Sequence, residues 1–150
     1  MKEKIKNILP WACTIAAAAM GIAAFFFIFA PSVNANVLGE TYFKGLNTAL
    51  GYTKSNIKVL SASAGMILAY LFPLLGAATA VIGKDSRIAR IISTALLLVS
   101  GALSFAAAAL VRPHFTAEIS IAFGSVLSGV FSILGGIAEC ATCLPCLKAK

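Results

Sequence analysis

Four apolar runs dominate the chain: Trp11 to Ala30, Ile57 to Ile82, Ile91 to Val111 and Ile119 to Ala138. Each reaches or exceeds the roughly 20 residues needed to cross about 30 Å of hydrocarbon at 1.5 Å per residue. Lys58, near the start of the second run, is the only ionisable Asp, Glu, Lys, Arg or His in any of them. With 60% hydrophobic and 11% charged residues, against about 25% charged in soluble domains, the chain cannot bury its apolar surface in water. The expected fold is an all-α membrane protein, a four-transmembrane-helix bundle in one integral membrane domain. Its segments are expected at about 11–30, 57–82, 91–111 and 119–138, with an outer loop 31–56 and a cytoplasmic tail 139–150.

The net charge of +7 does not point to nucleic acid, because the basic residues flank the apolar runs and are not gathered with aromatics on one face. Lys2, Lys4, Lys6, Lys84, Arg87, Arg90, Lys148 and Lys150 fall on one side of the implied topology. Lys44, Lys54, Lys58 and Arg112 fall on the other. The positive-inside rule therefore predicts a multi-pass cell-membrane protein with both termini cytoplasmic. Trp11 suits the interfacial aromatic belt, and Arg87 and Arg90 suit headgroup anchoring.

The first run has two readings. A basic start, an apolar stretch, Pro31 and the small residues Val33 and Ala35 fit a signal peptide cut after Ala35. The 20-residue apolar length exceeds an h-region of about 7–15 residues and fits a retained span.

Internal similarity favours retention. Residues 61–76, SASAGMILAYLFPLLG, align without a gap on 120–135, SIAFGSVLSGVFSILG, with identities at Gly65/Gly124, Leu68/Leu127, Phe72/Phe131 and Gly76/Gly135 among others. If this records a repeated helical hairpin, the first segment is the partner of the third. Gly65, Gly76, Gly124, Ser128, Gly129 and Gly135 are the expected helix-packing positions, since small residues let helices approach closely in lipid. Pro73 removes one backbone hydrogen bond and is expected to kink the second helix. Gly83 should end that helix, and Asp85 or Ser86 should cap the next.

In the outer loop, Leu38, Tyr42, Leu46 and Leu50 recur every four residues between Asn36 and Gly51, which predicts a short amphipathic surface helix.

Chemistry is sparse. Cys140, Cys143 and Cys146 share the expected cytoplasmic side with Cys13, giving candidate metal or thiol ligands, although the spacing lacks two well-separated pairs. Four helices with a Cys-Ala-Thr-Cys element resemble the vitamin K epoxide reductase family, and four helices with a longer first outer loop resemble claudin-like proteins. That loop contains neither cysteine nor tryptophan, so the chain is assigned to neither. Glu118 and Glu139 lie only at segment ends, where Glu139 is expected to snorkel or pair with Lys148. Ser61, Ser63, Ser120, Ser128 and Ser132 form faces that an oligomeric channel would need.

The expected function is a non-enzymatic structural, scaffold or accessory subunit without a cofactor. Its expected partners are the lipid bilayer and either a second copy or another membrane protein. The alternatives are an oligomeric channel or small transporter, and a thiol or metal-binding membrane protein. Intact mass separates the two readings of the first segment: retention predicts 15.5 kDa, whereas cleavage predicts a shorter chain beginning at Asn36.

Overall fold

The computed structural model describes the backbone of residues 2–37, 40–83, 85–111 and 118–147, and the side chains of 10–36, 42–83, 85–111 and 118–142. Helix α1 (Lys2–Phe26) ends in a single 3-10 turn at Phe27–Phe29. There follow strands β1 (Pro31–Val37) and β2 (Glu40–Lys44), the short α2 (Gly45–Leu50), and strands β3 (Tyr52–Lys54) and β4 (Ile57–Leu60). The remainder is α3 (Ala64–Ile82), α4 (Arg87–Phe105), α5 (Ala107–Leu110), β5 (Ile119–Ile121) and α6 (Phe123–Leu147). Four helices are long and apolar enough to cross a membrane: Pro10–Phe29, Ala64–Ile82, Arg87–Phe105 and Phe123–Thr142.

Two of the expected helix starts move, each because a strand takes residues that hydropathy alone assigns to a span. Ile57–Leu60 pairs antiparallel with Tyr52–Lys54 across Ser55 and Asn56, whose φ values of 49° and 66° make a twist-matched two-residue hairpin turn. The second helix therefore starts at Ala64, where the Ser63 hydroxyl caps the Met66 N–H at 3.4 Å, and Lys58 stays outside the span. Ile119–Ile121 likewise forms a strand, so the fourth helix starts at Phe123. Helix α6 continues through the predicted tail to Leu147. Gly83 and Ser86 take their expected capping places around the α3–α4 turn.

Where a surface helix from Asn36 is expected, residues 36–37 and 40–44 are strand. Strand β1 is the centre of a three-stranded antiparallel sheet, with Val33 opposite both Phe43 of β2 and Ile121 of β5. Val33 and Ala35 of β1 pack into the apolar cluster and Asn36 is exposed, while Ser32 on the other face of the strand is buried against Tyr70 and Ser125. Helix survives only over Gly45–Leu50, where Thr48 and Ala49 face inward while Leu46 and Leu50 are exposed. The run Thr41-Tyr42-Phe43 is aromatic and β-branched, and two neighbouring chain segments supply the ladder that a four-residue periodicity cannot reveal. Leu38 lies outside the described residues.

The strands cover one end of the helices, called here the sheet end; the α3–α4 turn marks the opposite, hairpin end. An apolar cluster joins sheet to helices, with Val33, Phe43, Val59 and Leu60 meeting Met66, Tyr70 and Ala107. Among the long helices, α1 and α4 each pack on α3 and on α6, so the four form a ring. One side chain fills its centre. Leu97 of α4 is fully buried, and a methyl group added at Gly76 of α3 would lie 2.9 Å from its Cγ. A methyl added at Gly21 of α1 would lie 3.3 Å from its Cδ2, at Gly135 of α6 3.6 Å from its Cδ1, and at Gly136 3.5 Å from its Cβ. Three helices thus present bare backbone to one leucine of the fourth.

Other sequence-named glycines make separate contacts. Gly65 faces Leu110, Gly124 faces the Pro31 carbonyl, and Gly129 faces the Phe105 ring. Leu97→Ala should lower stability by about 2 kcal/mol, the low end of the Leu→Ala range because lipid-facing helices lose contacts and not apolar transfer. Gly21→Val should cost at least as much, since its added atoms meet the Pro73 carbonyl, 2.6 Å from the Cβ position. Denaturant or thermal unfolding in lipid nanodiscs measures both.

Candidate functional site

A seam of buried hydroxyls runs between the helices. Ser93 donates to the Gly76 carbonyl at 2.8 Å, Ser100 to the Ala69 carbonyl at 2.7 Å, and Ser128 to the Ala24 carbonyl at 3.1 Å. Near the sheet end, Ser63 donates to the Leu110 carbonyl at 2.9 Å. Ser132 lies 3.2 Å from Ser100, whose single proton is already committed, so Ser132 donates to it. Ser104 donates to Ser128 at 3.5 Å. These hydroxyl chains end on peptide carbonyls of a neighbouring helix.

The Ser100 bond answers a specific deficit. Pro73 has no N–H, so the Ala69 carbonyl four residues earlier lacks its helical donor. Ser100, from the adjacent α4, supplies that donor. Pro73 itself is buried within a continuous α3, its carbonyl against Gly21.

At the sheet end, Tyr70 donates to Ser32 at 3.0 Å, and Ser32 shares a 2.5 Å hydrogen bond with Ser125. This trio ties α3, β1 and α6 together. Beyond it, an open cleft of about 670 Å³ is lined by Asn34, Asn36, Tyr42, Glu118 and Ser120, with Ala35 and Ile119 at its base. The side-chain oxygen of Asn34 is buried without a hydrogen-bond partner.

The hairpin end holds the one buried carboxylate among the described residues. Glu139 is 0% exposed, and neither of its oxygens makes a hydrogen bond of good geometry. Thr14 of α1 and Arg90 of α4 line a cavity at this end. The Arg90 Nη1 donates to the Thr142 carbonyl at 3.3 Å, so this arginine turns toward α6, whereas Arg87 is exposed as an anchor would be. Trp11 is 54% exposed at the same end.

The cysteines are not brought into a described cluster. Cys13 is half-buried in α1 and Cys140 is exposed on α6; the side chains of Cys143 and Cys146 lie outside the described residues, as does Lys148. Among the described residues, no three His, Cys, Asp or Glu side chains group as metal ligands. Of the sequence-named serines, Ser63, Ser128 and Ser132 are buried in contacts between helices, Ser61 is half-buried, and Ser120 is exposed on β5. Sequence reasoning missed Ser93, Ser100, Ser104 and Tyr70. A signal existed for Ser100 only in the proline it serves, and the pairing of the two helices could not be read from it.

The chain matches no family model, no curated protein and no solved structure.

Ser100→Ala should destabilise the protein by about 1 kcal/mol, within the range of hydrogen bonds between membrane helices. Combined with Pro73→Ala, which restores an N–H to the Ala69 carbonyl, it should cost less than half as much. A double-mutant cycle of unfolding free energies measures the coupling, and strict additivity would contradict the pairing.

Proposed function

We propose that the chain is a multi-pass membrane protein, a retained four-helix bundle that serves as a non-enzymatic structural, scaffold or accessory subunit. The observation that carries this reading is the destination of the buried hydroxyl protons. The serine latches between helices donate into peptide carbonyls, which hold helices together and pass no proton or ion along. With Leu97 filling the centre, the helical core is built as a closed body and not as a lumen.

Retention of the first segment is supported by its place in the core and by the sheet. Gly21 and Ala24 contact α3 and α6, and cleavage after Ala35 would cut through the central strand. The charge asymmetry of the ends supports cytoplasmic termini, with the sheet end outside. A repeated hairpin is supported by two correspondences: α3 and α6 each follow a short strand, and Gly76 and Gly135 both abut Leu97. The sheet is then the water-facing platform for a membrane partner, and the lipid bilayer is the surrounding medium.

Reconstituted in proteoliposomes, the protein should give ion and small-solute flux no greater than empty vesicles. A photo-crosslinker at Asn36 or Tyr42, both exposed on the sheet, should yield one defined adduct in native membranes. Measurable flux that is lost in Ser128→Val or Ser132→Val would overturn this reading in favour of a channel or transporter.

A further inference from the structure

Glu139 has no part in the latches that close the helical core. It lies within the apolar span Phe123–Thr142, fully buried, with both side-chain oxygens lacking hydrogen-bond partners. An ionisable residue at such a place is expensive to keep, and its retention marks a site where its charge is exchanged or neutralised. Beside it is a cavity of about 30 Å³ lined by Pro10, Trp11, Thr14, Asp85 and Arg90. That volume and polar lining suffice for a water molecule. Thr14 and Arg90 both line the cavity, and Arg90 donates to the Thr142 carbonyl one turn from Glu139, so the cavity lies at the level of the buried carboxyl group.

We propose that Glu139 is a proton-exchange site, loaded from the hairpin-end cavity through the Thr14 hydroxyl. A hydronium ion in the cavity gives a proton to the Thr14 oxygen as Thr14 passes its own to a Glu139 carboxylate oxygen, leaving a neutral water behind. The product is a neutral carboxyl group, and the reverse returns the proton to water without electron transfer. A metal cation fits less well, because the Arg90 charge already lines the cavity and no three His, Cys, Asp or Glu side chains group there among the described residues.

Among the described side chains, the charged and titratable groups around this end are few. From α4 comes Arg90, with Arg87 exposed one turn before it, and the α3–α4 turn contributes Asp85 on the cavity wall. Helix α3 has no titratable residue but Tyr70, near the opposite end. Helix α1 contributes Cys13 beside Thr14, with Lys2, Glu3, Lys4 and Lys6 two or more turns further along it; α6 itself contributes Cys140. Asp85 and Arg90 are thus the charged side chains on the cavity wall, and Thr14 supplies its hydroxyl.

Infrared difference spectroscopy of the full chain in lipid films tests the proposal, because a protonated carboxyl C=O stretch is separate from carboxylate bands. The band should be present in acid, disappear as pH rises, and shift on transfer to D2O. It should be missing in Glu139→Gln, and should move in Glu139→Asp if the glutamine variant fails to fold. Thr14→Val should slow the D2O shift at least tenfold. No band at any pH would mean a permanently ionised carboxylate, and a band indifferent to pH and D2O would mean a locked proton; either overturns proton exchange. An unchanged rate in Thr14→Val overturns the route. Because vesicle flux plays no part in these readings, they stand or fall separately from the scaffold reading.

Discussion

The contact of Leu97 with the bare backbone of three other helices is the constraint on which the helical core depends. Helices in lipid gain little from burying apolar surface, since acyl chains are as apolar as leucine, so they associate through close contact and hydrogen bonding. Gly21, Gly76, Gly135 and Gly136 permit that closeness around one branched side chain at the level where α1, α3, α4 and α6 meet. Gly21 of α1 and Leu97 of α4, on helices that lie diagonally across the ring, are brought together there. Displacing Leu97 would loosen all the neighbouring helix pairs at once.

Around that centre, polarity is used for cohesion. A serine hydroxyl adds little bulk and can reach a carbonyl across a tight helix interface, and the buried serines of α4 and α6 do so repeatedly. The Ser100 bond to Ala69 shows how a helix irregularity is accommodated. Proline opens one carbonyl in α3, and the opened acceptor becomes an attachment point for α4. A defect in one helix is thereby converted into specificity for the register of its neighbour. Glu139 stands apart from this scheme, as a buried polar group that the surrounding helices do not satisfy.

Much of the helical core was legible in the sequence because hydropathy and small-residue spacing are local signals. The four long apolar stretches, the caps at Gly83 and Ser86, and the packing roles of Gly76 and Gly135 follow from residues near one another in the chain. The sheet was not legible for the opposite reason. Strand β1 acquires its structure from β2 and from β5, which lies more than 80 residues away, and the four-residue recurrence of Leu and Tyr after Asn36 gives no sign of that pairing. Ile57–Leu60 and Ile119–Ile121 are apolar enough to read as helix starts until their strand partners are known.

By itself, then, the sequence determined the class of molecule: four stretches with almost no charge cannot be solvated by water, and their length matches a bilayer's hydrocarbon thickness. It also determined that close helix packing would rest on glycine and serine. Only the tertiary structure decided which glycines face Leu97, which hydroxyl serves the Pro73 gap, and that Glu139 turns inward beside Thr14 and Arg90 in place of reaching for headgroup water. Those outcomes depend on the rotation and depth of each helix relative to the others. Hydropathy sets how long a helix is, but its rotation is settled only by what the opposing helix presents.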